Sequence, residues 1–201
     1  MERIKKGDCG YLKQQTKWEI VKTLIFFAAS FGVLFLGIHI TGDKNNLLTV
    51  VAVLGLLPAA KELITLIMFI RARKFSCPYS LYEAVEGEIY SKEDVTYDKT
   101  DPLIVVYDLY MTGQEKNYPI LSMCCRNKTL VGMADWEKFD YKKAEEHIQI
   151  MLKQNGYKNI SVKIFSDQGK YLDRLRELGK KETTDRDVDQ AILRLMLNLS
   201  L

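Results

Sequence analysis

The sequence predicts a membrane protein with an α+β cytosolic domain. An N-terminal two-helix transmembrane hairpin is followed by a small mixed α/β domain and a C-terminal apolar helix. Three observations lead there. Residues 23–41 hold no Lys, Arg, Asp or Glu, and residues 47–70 hold only Lys61 and Glu62. At about 1.5 Å per residue, each run as a helix crosses a hydrocarbon layer ~30 Å thick. Basic residues flank the pair: residues 1–22 carry six Lys/Arg against three Asp/Glu, and Arg71, Arg73 and Lys74 follow the second run. From Cys77 onward the pattern changes to short β-branched runs alternating with amphipathic stretches, in the order roughly α-β-β-β-α-β-α. The mean hydropathy of −0.12 averages these two unlike parts.

The charge distribution sets both orientation and partners. The loop between the runs, Gly42-Asp43-Lys44-Asn45-Asn46, is balanced. The positive-inside rule therefore predicts a multi-pass protein of the cell (inner) membrane, of bacterial type, with both termini cytoplasmic. No cleaved signal peptide is expected, because Lys22 lies too late for an n-region and a second span follows at once. From Cys77 the chain has 18 basic and 21 acidic residues, a net of −3. A mildly acidic domain makes nucleic acid an unlikely partner, since such binding draws on basic residues gathered on the domain. Cys9, Cys77, Cys124 and Cys125 fall on the reducing side and show no metal-ligand spacing, so free thiols and no cofactor are expected.

In the membrane part, residues 1–22 form a basic tail, with Lys5, Lys6, Lys13 and Lys17 against anionic headgroups or acting as a topology signal alone, and Trp18 at the interface. The spans run over about 23–41 and 47–70, within a hairpin of residues 23–74. Ala28 and Gly32 make a small-residue step that faces the second span, at Gly55, Ala59 and Ala60, or a second copy of the chain. His39 is an interfacial polar residue. Pro58 lies inside the second run and predicts a kink with a freed carbonyl near Leu54. Lys61 and Glu62 follow it, and ionisable groups at membrane depth are functional candidates. Lys61 lies about 21 Å along the helix from Leu47, within snorkelling reach of the inner interface. Glu62 has Lys22 or Lys17 as candidate partners on the first helix. Snorkelling and helix pairing, an oligomer contact, and an ion or proton path are the three readings of Pro58, Lys61 and Glu62.

The cytosolic domain spans residues 77–182. Tyr79 to Tyr90 has helical spacing, weakened by Gly87. Val95 to Tyr97 reads as a short strand and Leu103 to Met111 as the clearest one, with Thr112 to Asn117 as a turn and Tyr118 to Arg126 as the antiparallel return. Cys124 and Cys125 are neighbours in that strand, so one is expected buried and one exposed. Asp140 caps a helix to Gln154, closed by Asn155-Gly156. Ile160 to Phe165 is a strand, and Ser166 or Asp167 opens a helix through Leu178. His147 falls on an exposed-looking helix face among Lys143, Glu145 and Glu146.

Residues 183–201 hold the last helix, starting at Asp185. Val188, Ala191, Ile192, Leu195, Met196 and Leu199 share one apolar face, while Leu193, Leu197 and Leu201 lie opposite. Such a helix needs more than one partner surface. It is a core helix, a dimer contact or a membrane-surface helix, which makes Leu193, Leu197 and Leu201 the partner-contact candidates.

No phosphate-loop, dinucleotide, nucleophile-elbow, zinc-protease or EF-hand pattern occurs. The element order resembles the core of the restriction-endonuclease-like nucleases. That resemblance implies an acidic residue on the second strand and Glu-x-Lys on the third, holding Mg²⁺. Asp108 lies in a suitable strand, but Ser122-Met123-Cys124-Cys125-Arg126 lacks the carboxylate and the lysine. The resemblance therefore implies a membrane-tethered hydrolase or nuclease that is degenerate. The leading expectation is a binding, adaptor or regulatory module on a membrane hairpin. It would be non-enzymatic, with lipid bilayer as one partner and a homo-oligomer or protein partner through the spans or the last helix.

Overall fold

The computed structural model describes residues 4–44, 46–90, 102–113 and 116–201. The chain divides into two units: residues 12–74, and a domain made of residues up to Tyr11 together with Phe75–Leu201. The domain is thus discontinuous in sequence, with the hairpin inserted after its first strip. The residues read as a basic tail divide between the two units, since residues 4–11 belong to the domain and the first helix starts at Tyr11.

The inserted unit is two helices, α1 (Tyr11–Thr41) and α2 (Leu47–Ala72). Both are long and apolar enough to cross a membrane by length and composition. Their meeting faces are small and weakly polar. Thr16, Thr23, Ser30 and Gly37 recur every seven residues on α1 and are buried, as are Ala52 and Ala59 on α2. A seven-residue repeat keeps one stripe facing a neighbouring helix, and small side chains let the backbones close in. A Cβ on Gly37 would stand 2.8 Å from Leu48 Cβ, and one on Gly55 would stand 3.0 Å from Ser30 Oγ. The hydroxyls of Thr16 and Thr23 donate to the carbonyls of Leu12 and Glu19, each at 2.7 Å, while the buried Glu19 Oε2 has no hydrogen-bond partner among the described residues. Asn46 caps α2 by accepting the Thr49 N–H at 2.9 Å.

The large apolar side chains point away from this seam. Leu24, Ile25, Phe35, Leu36, Ile40, Leu47, Leu57 and Ile64 are all exposed. Ala28 and Ala60 are exposed too, and nothing lies within 4 Å of a Cβ on Gly32. The expected Ala28–Gly32 step therefore does not form the seam between the helices, which uses Ser30 against Gly55 and Gly37 against Leu48. Helix α2 continues through Pro58 without a break in its assignment.

In the domain, helix α3 (Tyr79–Tyr90) precedes strands β1 (Val105–Thr112), β2 (Asn117–Arg126) and β3 (Thr129–Met133). Helix α4 (Tyr141–Gln154), strand β4 (Ser161–Phe165), α5 (Gln168–Gly179) and α6 (Arg186–Leu199) follow. The sheet runs β1-β2-β3-β4, antiparallel except for the parallel β3–β4 pair joined through α4. One face carries the core of Leu109, Met111, Ile120, Leu130, Ile148 and Ile192, under α4 and α6. The other carries Leu81, Val85, Leu121, Val131, Tyr171 and Leu175, under α3 and α5. A sheet covered on both sides buries both faces of its strands. This overturns the expectation for the cysteine pair: Cys124 and Cys125 face opposite layers and both are buried.

The element order is as expected, but its strands are displaced by one. Val95 to Tyr97 lies outside the described residues, and the third strand is β3, which the sequence reading passed over. Its turn is two residues, Asn127 and Lys128, with φ of 49° and 60°. Such a mirror-type turn usually announces itself as Asn-Gly or Asp-Gly. Here Asp189 on α6 replaces that signal, accepting the N–H groups of Asn127 at 2.9 Å and Lys128 at 3.4 Å. Asp140, Asp167 and Asp185 cap α4, α5 and α6, as the sequence predicts for the first and last and offers for the second. Helix α6 stops at Leu199, not Leu201. The chain then turns to the edge of β1, where the Leu201 N–H donates to Tyr110 O at 3.0 Å.

Candidate functional site

An open cleft of about 670 Å³ lies in the domain, lined by Ile4, Lys5, Asp8, Cys9, Tyr79, Tyr82, Glu86, Val105 and Tyr107. Three separate segments build it, and each has a local reason to be there. Helix α3 turns Leu81, Val85 and Ile89 into the core. Its remaining face therefore carries Tyr79, Tyr82 and Glu86, spaced for neighbouring turns. Strand β1 contributes Val105 and Tyr107, two apart and so on one face. The N-terminal strip closes the third side. It is tied to β1 by the Tyr107 N–H, which donates to Gly7 O at 2.7 Å. Gly7 has φ of 98°, a conformation that suits glycine. A Cβ there would stand 3.1 Å from Leu197. Lys6 Nζ donates to Ser200 O at 2.8 Å and fixes the strip from the far end of the chain.

The start of α3 is held by an unusual residue. Asp108 sits in the middle of β1 with φ of 57°, where a non-glycine residue is strained. Its carboxylate accepts the Cys77 N–H at 2.6 Å and the Ser76 hydroxyl at 2.9 Å. Charge-assisted bonds of this kind offset the backbone cost and set the angle at which α3 presents its tyrosines.

Within the cleft the rings form a continuous wall. Tyr79 and Tyr82 have centroids 5.8 Å apart, and Tyr82 and Tyr107 meet edge to face at 5.2 Å. The Tyr107 hydroxyl donates to Glu86 Oε1 at 2.8 Å. Burial, with that hydrogen bond and the Glu86 charge, pushes the Tyr107 phenol well above its ordinary range, so it stays a protonated donor. The Tyr82 phenol is also raised, chiefly by the Glu86 carboxylate, then by burial, with smaller contributions including Asp8. The cleft is therefore aromatic and negative: Asp8 and Glu86 stand against Lys5 among the described lining residues.

The residues singled out from sequence lie elsewhere. Lys61 and Pro58 are exposed on α2 and Glu62 is half-buried. Lys22 pairs with Glu19 Oε1 at 2.8 Å, so it is Glu19, buried on α1, that takes the charge partner expected for Glu62. Leu193 is 2% exposed and part of the domain core, which leaves it no surface for a partner. Leu197 packs against that core and the N-terminal strip, and Leu201 is half-buried beside β1. The side of α6 that lacked a partner in the sequence meets the domain core at Leu193, the strip at Gly7 through Leu197, and β1 at Leu201.

His147 is half-buried rather than solvated. Its ring lies 5.2 Å from Tyr118, and its Nε2 is buried with no hydrogen-bond partner among the described residues. Burial pushes the Cys124 thiol up to about 12. Cys125 is raised further by burial and by Asp189, which accepts its S–H at 3.5 Å. Both are packing residues, since a reactive cysteine needs the thiolate. Asp108, the carboxylate that the nuclease resemblance requires, is 2% exposed and engaged by Ser76 and Cys77. Among the described residues no group of three or more His, Cys, Asp or Glu side chains is placed to hold a metal ion.

Sequence reading missed the cleft because its walls come from residues 4–9, 79–86 and 105–107, which only the folded sheet unites. The available signal was the spacing of Tyr79, Tyr82 and Glu86 on the outer face of α3. No family model, no curated protein and no solved structure matches this chain.

Proposed function

We propose that the chain is a two-pass integral membrane protein whose cytoplasmic domain is a binding module, with the tyrosine–carboxylate cleft as its binding site. The observation that carries the membrane reading is the inverted packing of the hairpin. The most apolar windows of α1 and α2 are only 17% and 11% buried within the chain. A core helix of a soluble domain hides its large apolar side chains; between Thr23 and Ala59 the buried residues described on these helices are Thr23, Ser30, Gly37, Ala52 and Ala59, while leucine, isoleucine and phenylalanine are exposed. Lipid is the solvent that favours such a surface. The basic residues beside both helix ends on the domain side support an orientation with the domain in the cytoplasm.

Alkaline carbonate extraction of membranes from cells expressing the full chain tests the first half. The protein is expected to stay in the pellet, and release into the supernatant would overturn the reading. Cysteine substitution at Lys44, probed with a membrane-impermeant maleimide, tests orientation. Labelling in intact cells is expected, and labelling only after lysis would reverse the topology.

The binding reading draws on the cleft, whose tyrosine rings and carboxylates offer contacts to a ligand, while its half-buried Cys9 thiol donates to the Cys77 carbonyl at 3.6 Å. A pull-down of the solubilised chain with mass by light scattering separates an adaptor, which brings a stoichiometric protein, from a small-ligand receptor.

A further inference from the structure

Resting on the reading of the domain as a binding module, we infer that the cleft between the N-terminal strip, α3 and β1 binds an organic ammonium cation. The ammonium group would sit against Tyr79, Tyr82 and Tyr107, with Asp8 and Glu86 as counter-charges.

The lining selects this chemistry over its rivals. The face of a phenol ring attracts a cation held within about 6 Å of its centroid, most strongly where water is thinned out. Three such rings stand here in sequence, 5.8 and 5.2 Å apart, and at different tilts, 32° and 65°. Rings tilted to one another form adjacent walls, which suits a rounded alkylammonium better than a flat ligand. An anion would meet two carboxylates with Lys5 as the opposing charge. A hard metal ion needs several oxygen ligands free to converge, yet Glu86 already accepts the Tyr107 hydroxyl at 2.8 Å and Asp8 accepts the Lys5 N–H at 3.2 Å. Those bonds are compatible with a neighbouring ammonium, which asks for charge and ring faces rather than for lone pairs at short range. A volume of about 670 Å³ exceeds what a methylated ammonium fills, leaving room for a substituent on the nitrogen.

The Tyr107–Glu86 bond gives the site its preorganisation. The hydroxyl is buried and stays protonated, so the carboxylate is held beside the rings before a ligand arrives. Lys5 is exposed and carries the same sign as the ligand, which makes it a brake on affinity that removal should release.

The test uses the full chain in phosphatidylglycerol nanodiscs, titrated with choline and, separately, with its neutral isostere 3,3-dimethylbutan-1-ol, followed by ligand-observed NMR. Saturable choline binding with at least about tenfold preference over the isostere is expected. Tyr82→Ala and Glu86→Gln are each expected to weaken choline about tenfold, and Lys5→Ala to tighten it about twofold to threefold. Should Tyr82→Ala fail to fold, Tyr79→Ala replaces it, because that ring is 67% exposed. Absence of saturable choline binding, equal binding of the isostere, or affinity unchanged in Tyr82→Ala (or Tyr79→Ala) and Glu86→Gln would overturn the inference. Repeating the titration in phosphatidylcholine nanodiscs distinguishes the sources: loss of choline binding there identifies a lipid headgroup, and retention a free amine. Carbonate extraction reads the membrane proposal separately, so a pelleted protein that ignores choline refutes the ligand and leaves the anchor standing.

Discussion

The hairpin and the sheet domain solve the same packing problem in opposite ways. In the domain, Leu130, Ile148 and Ile192 are wholly buried, while charged residues lie mostly outside. In the hairpin, Ala59 is wholly buried, Thr16, Thr23 and Ser30 nearly so, and Leu36, Ile40 and Leu57 are among the most exposed residues. The domain gains stability by removing large apolar surface from water. On the membrane reading proposed above, the seam has no such gain available in lipid and relies on close backbone approach and dispersion. Burial of a residue type thus reports which solvent its element is built for.

The comparison breaks most visibly at large-to-small substitutions. Leu130→Ala in the domain is expected to cost about 2–5 kcal/mol, read from urea unfolding of the full chain in detergent. Leu36→Ala on the outer face of α1 should leave that transition within about 0.5 kcal/mol of the parent. Equal losses at the two sites would erase the distinction.

Asp108→Ala is next, at about 2–4 kcal/mol, because it strands the Cys77 N–H and the Ser76 hydroxyl in the interior and keeps a strained φ without its compensation. Asp108→Asn preserves an acceptor and tolerates positive φ, so it should recover at least half of that loss in the same measurement.

The seam is tested by adding atoms. Gly37→Ala drives a methyl to 2.8 Å from Leu48 Cβ and is expected to cost about 1–3 kcal/mol. Gly32→Ala meets nothing within 4 Å and should be neutral or slightly stabilising. Denaturing-detergent titrations followed by circular dichroism compare the two, and a cost at Gly32 equal to that at Gly37 would place the seam elsewhere.

The smallest effect is a pH slope. Burial holds the His147 imidazole below its ordinary 6.5, so the folded domain binds fewer protons than the unfolded chain as pH falls past that value. Stability is full above 6.5 and declines below it. His147→Gln should flatten the His147 contribution to the slope between pH 7 and pH 5, measured by thermal melts at fixed ionic strength.

Legibility from sequence followed the range of the interactions involved. Helix α3, the caps at Asp140 and Asp185 and the two apolar helices rest on local spacing and were readable. Strand β3 was not, because its turn at Asn127-Lys128 is stabilised by Asp189, more than sixty positions away. The hairpin seam was half readable. The small residues were evident, but the rotation that chooses Ser30 and Gly37 over Ala28 and Gly32 depends on the opposing helix. The burial of both Cys124 and Cys125 depends on layers contributed from both ends of the domain. The cleft was the least legible feature, since no single stretch of sequence holds more than four of its nine described lining residues.

The N-terminal strip also has a consequence for the order of events during synthesis. Gly7 waits for Tyr107, and Lys6 for Ser200, 194 positions later. Both long apolar helices are synthesised before either partner. The hairpin is therefore made while the domain is still incomplete, and the strip can close the cleft only once β1 exists for it to pair with. A domain made this way completes its cleft only after the hairpin has been synthesised.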